Sequence, residues 1–267
     1  MLKIGIVGCG AIGTILAKSI EKNPKAQIVA LNDIDETKPE NLKNTLRASN
    51  PKITTIDQLT DASDLIIECA HKNAVKKIAT TALNKKKDIL IMSVSALIEN
   101  PDLFELAKKN NATIHIPSGA IAGIDALKAG LQNNIKSVTL TTTKPKETLK
   151  AAPYIKENKI NIEKIKEKTT IFEGNVFEAT KGFPENINIS ATLALAGIGP
   201  EKTKVKIIAD PESKTNIHEL KIIGDFGEIT TITKNTPCPE NPKTSYLAAL
   251  SAIAKIKDIT GSTKIGT

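Results

Sequence analysis

The sequence predicts an α/β protein in two parts: an N-terminal parallel sheet covered by helices, then a second α+β domain built on a mainly antiparallel sheet. Three observations carry this. Apolar strand-like runs alternate with helical patterns as far as Ile116. Beyond Pro117-Ser118-Gly119 the runs alternate apolar and polar residues instead. A glycine-rich turn, Gly8-Cys9-Gly10-Ala11-Ile12-Gly13, joins the first strand to the first helix.

In order, Lys3–Val7 reads as a strand, Ile12–Glu21 as a helix and Gln27–Leu31 as a second strand. Asn41–Ala48 follows as a helix. Leu65–Cys69, Ile89–Val94 and Thr113–Ile116 are three further strands, separated by helices through Ala74–Leu83 and Leu103–Lys108. Strands that are apolar throughout belong to a sheet buried on both faces, which in α/β proteins is parallel. In the second part the strands are Ser137–Thr143, Lys168–Phe172, Lys204–Ala209, His218–Ile223 and Glu228–Thr233, with a helix at Ile187–Ala196. Their period of two marks half-buried, antiparallel strands. A last helix reads from Thr244 to Lys257. The division predicted is residues 1–120, with 243–267 packing back on them, and residues 121–242.

The 267 residues carry a net charge of +8. Arg47 is the only arginine and aromatics are 3% of the chain. A nucleic-acid partner is therefore not expected, because arginine dominates phosphate and base readout and stacking needs aromatic rings. The charge reads as solvated surface that helps attract an anionic substrate. No apolar run approaches the roughly 18 residues of a membrane span. The first residues, Met1-Leu2-Lys3-Ile4-Gly5, do not resemble a signal peptide. A cytoplasmic location is the expectation. Cys9, Cys69 and Cys238 are too far apart for a disulfide framework or zinc site, so no metal is expected. Cys238, in Thr236-Pro237-Cys238-Pro239, reads as a small packed residue or a reactive thiol.

The glycine turn is the strongest local signal. G-x-G-x-x-G means little alone. Here it follows an apolar strand, opens a helix and precedes a second strand that ends at Asn32-Asp33, the setting of a Rossmann dinucleotide site. Gly8 permits the tight turn, Gly10 admits the pyrophosphate and Gly13 lets helix and strand pack. The amides from Gly10 through Ala11 and Ile12 face the phosphates. Asp33 suits the ribose hydroxyls, which favours NAD. Lys38 softens that preference, and NADP use stays open.

The second site must supply the chemistry. Histidine is the natural acid–base group at neutral pH. From the residues alone, His218 at a loop-to-strand junction and His71 after the third predicted strand rank equally. His115 reads as a strand residue.

Four segments, in order along the whole chain, carry a resemblance. They are Pro117-Ser118-Gly119-Ala120-Ile121-Ala122-Gly123-Ile124-Asp125, Phe183-Pro184-Glu185-Asn186-Ile187-Asn188-Ile189-Ser190-Ala191-Thr192, Ala209-Asp210-Pro211 with Asn216-Ile217-His218, and Pro239-Glu240-Asn241-Pro242-Lys243-Thr244-Ser245. They resemble the archaeal and bacterial L-aspartate dehydrogenase family. The resemblance implies NAD(P)-dependent oxidative deamination of L-aspartate to iminoaspartate, or oxaloacetate plus ammonia, feeding de novo NAD synthesis. It places the catalytic histidine on His218 and NAD contacts on Ala122 and Asn188. The alternative for Asn188 is an N-cap of the following helix. The two substrate carboxylates direct attention to Lys243, Thr244 and Ser245 at the last helix's start, and to Ser118 and Gly119. Thr244 and Ser245 read equally well as helix caps. The resemblance, with the antiparallel sheet, also implies a homodimer. Two alternatives remain at this level: another reductase of this layout, related to dihydrodipicolinate reductase or homoserine dehydrogenase, and a non-enzymatic NAD-binding sensor.

Overall fold

A computed structural model describes residues 1–184, 187–239 and 241–267, with Pro242 and Lys243 described by their backbone alone. The chain divides into two compact units, residues 1–117 with 249–264 and residues 118–248 with 265–267.

The first unit holds strands β1 (Leu2–Val7), β2 (Ala26–Asn32), β3 (Lys52–Ile53), β4 (Leu65–Glu68), β5 (Asp88–Ile91) and β6 (Ile114–His115). Between them lie helices α1 (Ala11–Ile20), α2 (Thr37–Thr45), α3 (Ile56–Ala62), α4 (Lys72–Asn84), α5 (Ser95–Glu99) and α6 (Asp102–Asn110). The sheet order is β3-β2-β1-β4-β5-β6, and every pairing is parallel. This is the doubly wound order whose ligand crevice lies beyond the carboxyl ends of the strands. Ile4, Ile6, Ile66, Ile67 and Leu90 are wholly buried, as strands covered on both faces require.

Three short elements of the first unit escaped the sequence reading: β3, α3 and α5. A two-residue strand has no periodicity to detect. The helix expected at Asn41–Ala48 begins at Thr37, with Pro39 in its first turn, where a missing N–H costs nothing.

The second unit holds α7 (Ile124–Gly130), β7 (Ile135–Pro145), α8 (Pro153–Glu157), β8 (Thr169–Asn175), α9 (Val176–Gly182), α10 (Asn188–Ala196), β9 (Lys204–Asp210), β10 (Ile217–Gly224) and β11 (Gly227–Lys234). The sheet runs β11-β10-β7-β9-β8. It is mainly antiparallel, with one parallel pair, β7 with β9. One face is apolar. Val138, Leu140, Leu220 and Ile222 pack with Leu127 of α7 and Leu193 of α10. Val205, Ile207 and Ala209 pack with Phe172, Phe183 and Val176. On the opposite face Thr139, Thr141, Lys221 and Ile223 stay half-buried, and Glu219 and Ile232 are exposed.

The end of the chain departs from expectation. Thr244 and Ser245 precede the last helix rather than lying within it. They belong to β13 (Asn241–Ser245), which pairs with β12 (Pro237–Cys238), Ser245 opposite Pro237. Helix α11 runs from Tyr246 to Thr260. From Ala249 onward the chain counts with the first unit. There Ala252 and Ile256 join the core of Leu16, Ile28 and Leu31, and Asn23 Nδ2 donates to Thr260 Oγ1 at 3.1 Å.

Candidate active site

In the first unit the structure gathers the residues predicted for the dinucleotide. Gly8 has φ +100°, and a Cβ there would lie 2.4 Å from the Cys69 carbonyl carbon and oxygen. A Cβ on Gly13 would lie 2.1 Å from the Gly8 oxygen. On Gly10 it would meet nothing within 4 Å. Packing therefore demands glycine at 8 and 13, whereas Gly10 leaves open space above the turn. Helix α1 starts at Ala11 with no side-chain cap and no acidic residue in its first turn. Its first internal bond runs from the Thr14 N–H to the Gly10 oxygen at 2.9 Å. The amides of Ala11, Ile12 and Gly13 therefore head the helix, together with its positive dipole end. Asp33 follows β2, and its Oδ2 accepts the Cys9 N–H at 2.7 Å, which pins the carboxylate to the glycine turn. This donor set fits a dinucleotide diphosphate and ribose. Lys38 lies 3.7 Å from Asp35 in an exposed pair. Cys9 and Cys69 are poor nucleophiles. Burial, reinforced by Asp33, pushes the Cys9 thiol up to about 12, and burial raises Cys69 as well. Cys238 is fully buried.

Glu68 was missed by sequence reasoning. It ends β4 fully buried. Its carboxylate accepts the N–H groups of Ala70 at 2.8 Å, Met92 at 3.1 Å and Ser93 at 2.9 Å, and the Ser93 hydroxyl at 2.9 Å. It thereby fixes the loops after β4 and β5 at the carboxyl edge of the sheet. Burial pushes it up to about 7 against the downward pull of those hydrogen bonds. The sequence signal available was a carboxylate closing an otherwise apolar strand.

The structure separates the three histidines. His71 is exposed and caps α4, its Nδ1 accepting the Asn73 N–H at 3.3 Å. His115 pairs with Asp88 at 3.4 Å. His218 alone of the three is buried, 4% exposed on the apolar face of the second sheet. It lies opposite Thr142 on β7, whose Oγ1 sits 3.0 Å from His218 Nδ1. That contact leaves Nε2 as the nitrogen for chemistry. Burial, with the charge of Lys144 added, pushes His218 down to about 3. The imidazole is thus neutral at physiological pH. Lys144 is two residues beyond Thr142 and hence on the same face; burial lowers it to about 8. Sequence reasoning missed Lys144 because lysines are common in this chain and burial cannot be read from type.

The loop Ser118–Gly123 crosses this face. Thr231 Oγ1 donates to the Ala122 oxygen at 3.0 Å and Asn235 Nδ2 to the Ala120 oxygen at 3.1 Å. Gly119 has φ +74°, and a Cβ there would approach Ile189 of α10 at 3.8 Å. Asn188 is the first residue of α10, not its cap. The cap position is Ile187, without a side-chain bond. Thr244 accepts from Asn241 Nδ2 at 3.3 Å, and Ser245 is buried in β13. The expected helix-start residues thus lie in the strand that leads directly into α11. The side chain of Lys243 lies outside the described residues, as do Glu185, Asn186 and Glu240. Among the described residues no cluster of metal-ligating side chains occurs and no helix is long and apolar enough to cross a membrane.

The buried imidazole makes stability depend on pH. His218 is depressed in the folded chain, so its contribution is full above about pH 6.5 and is lost as pH falls toward 3. Relative to His218→Asn, the protein should lose about 2 kcal/mol between pH 6.5 and pH 5, read from chemical denaturation at each pH. An unchanged difference would show that His218 is solvated.

Comparison with known proteins covers both units. The family model described as aspartate dehydrogenase, C-terminal, matches residues 125–259. The one described as homoserine dehydrogenase, NAD binding domain, matches residues 8–117. The L-aspartate dehydrogenase of Methanococcoides burtonii is 46% identical over 271 residues, covering all of both chains. That of Methanosarcina acetivorans is 47% identical with the same coverage. Among solved structures, aspartate dehydrogenase from Thermotoga maritima superposes with TM-score 0.74 at 26% identity, again over the whole of both chains.

Proposed function

We propose a reaction from the premise that this chain belongs to the L-aspartate dehydrogenase family: NAD(P)-dependent oxidative deamination of L-aspartate to iminoaspartate. The carrying observation is His218, a buried neutral imidazole held through Nδ1 by Thr142, within the segment that matches the aspartate dehydrogenase C-terminal model. The substrate arrives as an ammonium ion, and its nitrogen must lose a proton before its lone pair can form the C=N bond. His218 Nε2 is the acceptor. A dicarboxylate beside the ring raises its proton affinity from the depressed value and so equips it for that step. The same nitrogen serves to activate water where the imine is hydrolysed to oxaloacetate and ammonia. Lys144, on the same sheet face, supplies positive charge for a substrate carboxylate. Ser118, Gly119, Lys243, Thr244 and Ser245 remain candidates for the other.

The Gly8–Gly13 turn and Asp33 would hold the dinucleotide, with Ala122 and Asn188 toward its nicotinamide end. When bound, the nicotinamide supplies the acceptor for the hydride leaving the aspartate α-carbon. Ile34, fully exposed next to Asp33, offers an apolar face for the adenine. Asp33 repels a 2′-phosphate and so favours NAD. Asp33→Ser should shift the NAD:NADP ratio of kcat/KM at least about tenfold toward NADP, by removing one like-charge contact. An unmoved ratio would place cofactor choice elsewhere.

The product feeds de novo NAD synthesis in the cytoplasm, and the working form is a homodimer. The half-buried face of the second sheet, with Ile223 and exposed Ile232, supports pairing between copies. The decisive assay offers L-aspartate, L-homoserine and L-glutamate separately with NAD or NADP and follows absorbance of the reduced cofactor. Reduction with aspartate alone is expected. Reduction with homoserine alone would move the chain to a sibling reductase.

A further inference from the structure

Asn235 follows the end of β11 and is 4% exposed. Its backbone N–H donates to the Asn216 oxygen at 2.9 Å. Its Nδ2 donates to the Ala120 oxygen at 3.1 Å. Among the described residues, its Oδ1 is the one buried side-chain polar atom without a hydrogen-bond partner. Turning the amide over does not cure this, because the oxygen would then face a carbonyl. Buried polar atoms are paired in nearly all native proteins, so an orphan acceptor calls for a donor that comes from outside the chain.

The register shows where that acceptor lies. β10 and β11 pair His218 with Thr233, and β10 and β7 pair His218 with Thr142. One step of two residues along the same face brings Lys144 on β7 and Asn235 after β11, the latter held in line by the Asn216 carbonyl. A neutral imidazole, a buried lysine and an unsatisfied amide oxygen thus occupy adjacent rows of one sheet face, beneath the Ser118–Gly123 loop.

We propose that Asn235 Oδ1 binds the α-amino nitrogen of the substrate and holds it beside His218, a role that rests on the amino-acid dehydrogenase reading above. The chemistry fits the reaction. A neutral acceptor orients the amine yet leaves it free to lose its proton. A carboxylate in that place would stabilise the ammonium ion and oppose the step.

The test uses the full-length protein and three ligands. L-aspartate carries the amine, succinate carries both carboxylates and no amine, and NADH reports the cofactor site. For Asn235→Ala we expect KM for L-aspartate to rise about tenfold or more, the scale of one lost buried hydrogen bond. The inhibition constant of succinate and the dissociation constant of NADH should each stay within about twofold, since neither ligand uses this contact. Parallel weakening of succinate would overturn the proposal and make Asn235 a residue that shapes the site. Weakened NADH with an unchanged aspartate KM would overturn it in favour of the nicotinamide carboxamide as donor. Asn235→Asp keeps the side-chain shape if the alanine variant does not fold. Its kcat/KM profile should move to higher pH, and an unmoved profile counts against the proposal. Failure of the unmodified protein to oxidise aspartate would instead sink the underlying reaction, before any variant is compared.

Discussion

Replacing His218 with alanine should lower kcat for L-aspartate oxidation about 10²- to 10⁴-fold, the range of a lost general acid–base group. NADH affinity, read by fluorescence titration, should stay near that of the unmodified protein. The argument is positional. His218 is buried on the second unit's sheet, while the glycine turn and Asp33 belong to the first unit. Truncation also leaves the Thr142 hydroxyl without its partner, so some stability is lost, about 1–3 kcal/mol. Thr142→Val separates the two effects. It keeps the imidazole and removes only the group that fixes Nδ1, so it should lower kcat by less than the alanine variant does. If His218→Ala turned over aspartate at the normal rate, the proton acceptor would have to be another group, and Lys144 would be the first to examine.

The second large effect lies in the glycine turn, where three similar residues should give two different outcomes. Gly13→Ala places a Cβ 2.1 Å from a backbone oxygen, with no flexible side chain to yield. The turn and the start of α1 must shift, at a cost of several kcal/mol, as overpacking against backbone requires. The expected result is a markedly lower melting temperature and no measurable NADH binding. Gly8→Ala should behave alike, because φ +100° and the Cys69 carbonyl both oppose a side chain. Gly10→Ala is the contrasting case. Its Cβ meets nothing, so the melting temperature should hold, yet NADH should bind at least about tenfold more weakly because the methyl group occupies space the pyrophosphate needs. Full NADH affinity in Gly10→Ala would mean that the phosphates approach elsewhere.

Much of this was legible in the amino-acid order, for identifiable reasons. The first sheet was readable because its strands are buried on both faces and each is followed by a helix, so apolar runs such as Ile4–Val7 and Leu65–Ile67 stand out. Second-sheet strands were readable from alternation, as in Ile217–Gly224, where buried and less buried residues take turns. The parallel pairing of β7 with β9 was not, because register depends on partners far apart in sequence. The short strands β12 and β13 were not legible either, and the last helix was read as starting at Thr244, two residues early, since Thr and Ser favour caps and turns alike. Glu68, Lys144 and Asn235 were invisible for one shared reason. A polar residue acquires its meaning from burial, and burial is a property of the assembled fold. From the residues alone His218 ranked level with His71, and the resemblance singled out His218; in the fold His71 caps a helix, and His218 lies buried on the apolar sheet face.

The return of α11 to the first unit sets an order of biosynthesis. The core around Leu16, Ile28 and Leu31 includes Ala252 and Ile256. On the ribosome, domains generally fold as units, the N-terminal one first. Here the N-terminal sheet emerges first but lacks part of its core until almost the whole chain has been translated. The second unit, nearly contiguous from Ser118 to Ala248, can close earlier. The dinucleotide fold that begins the polypeptide is therefore the last to be completed, and a nascent chain stalled before residue 249 would expose an apolar groove for chaperones to guard.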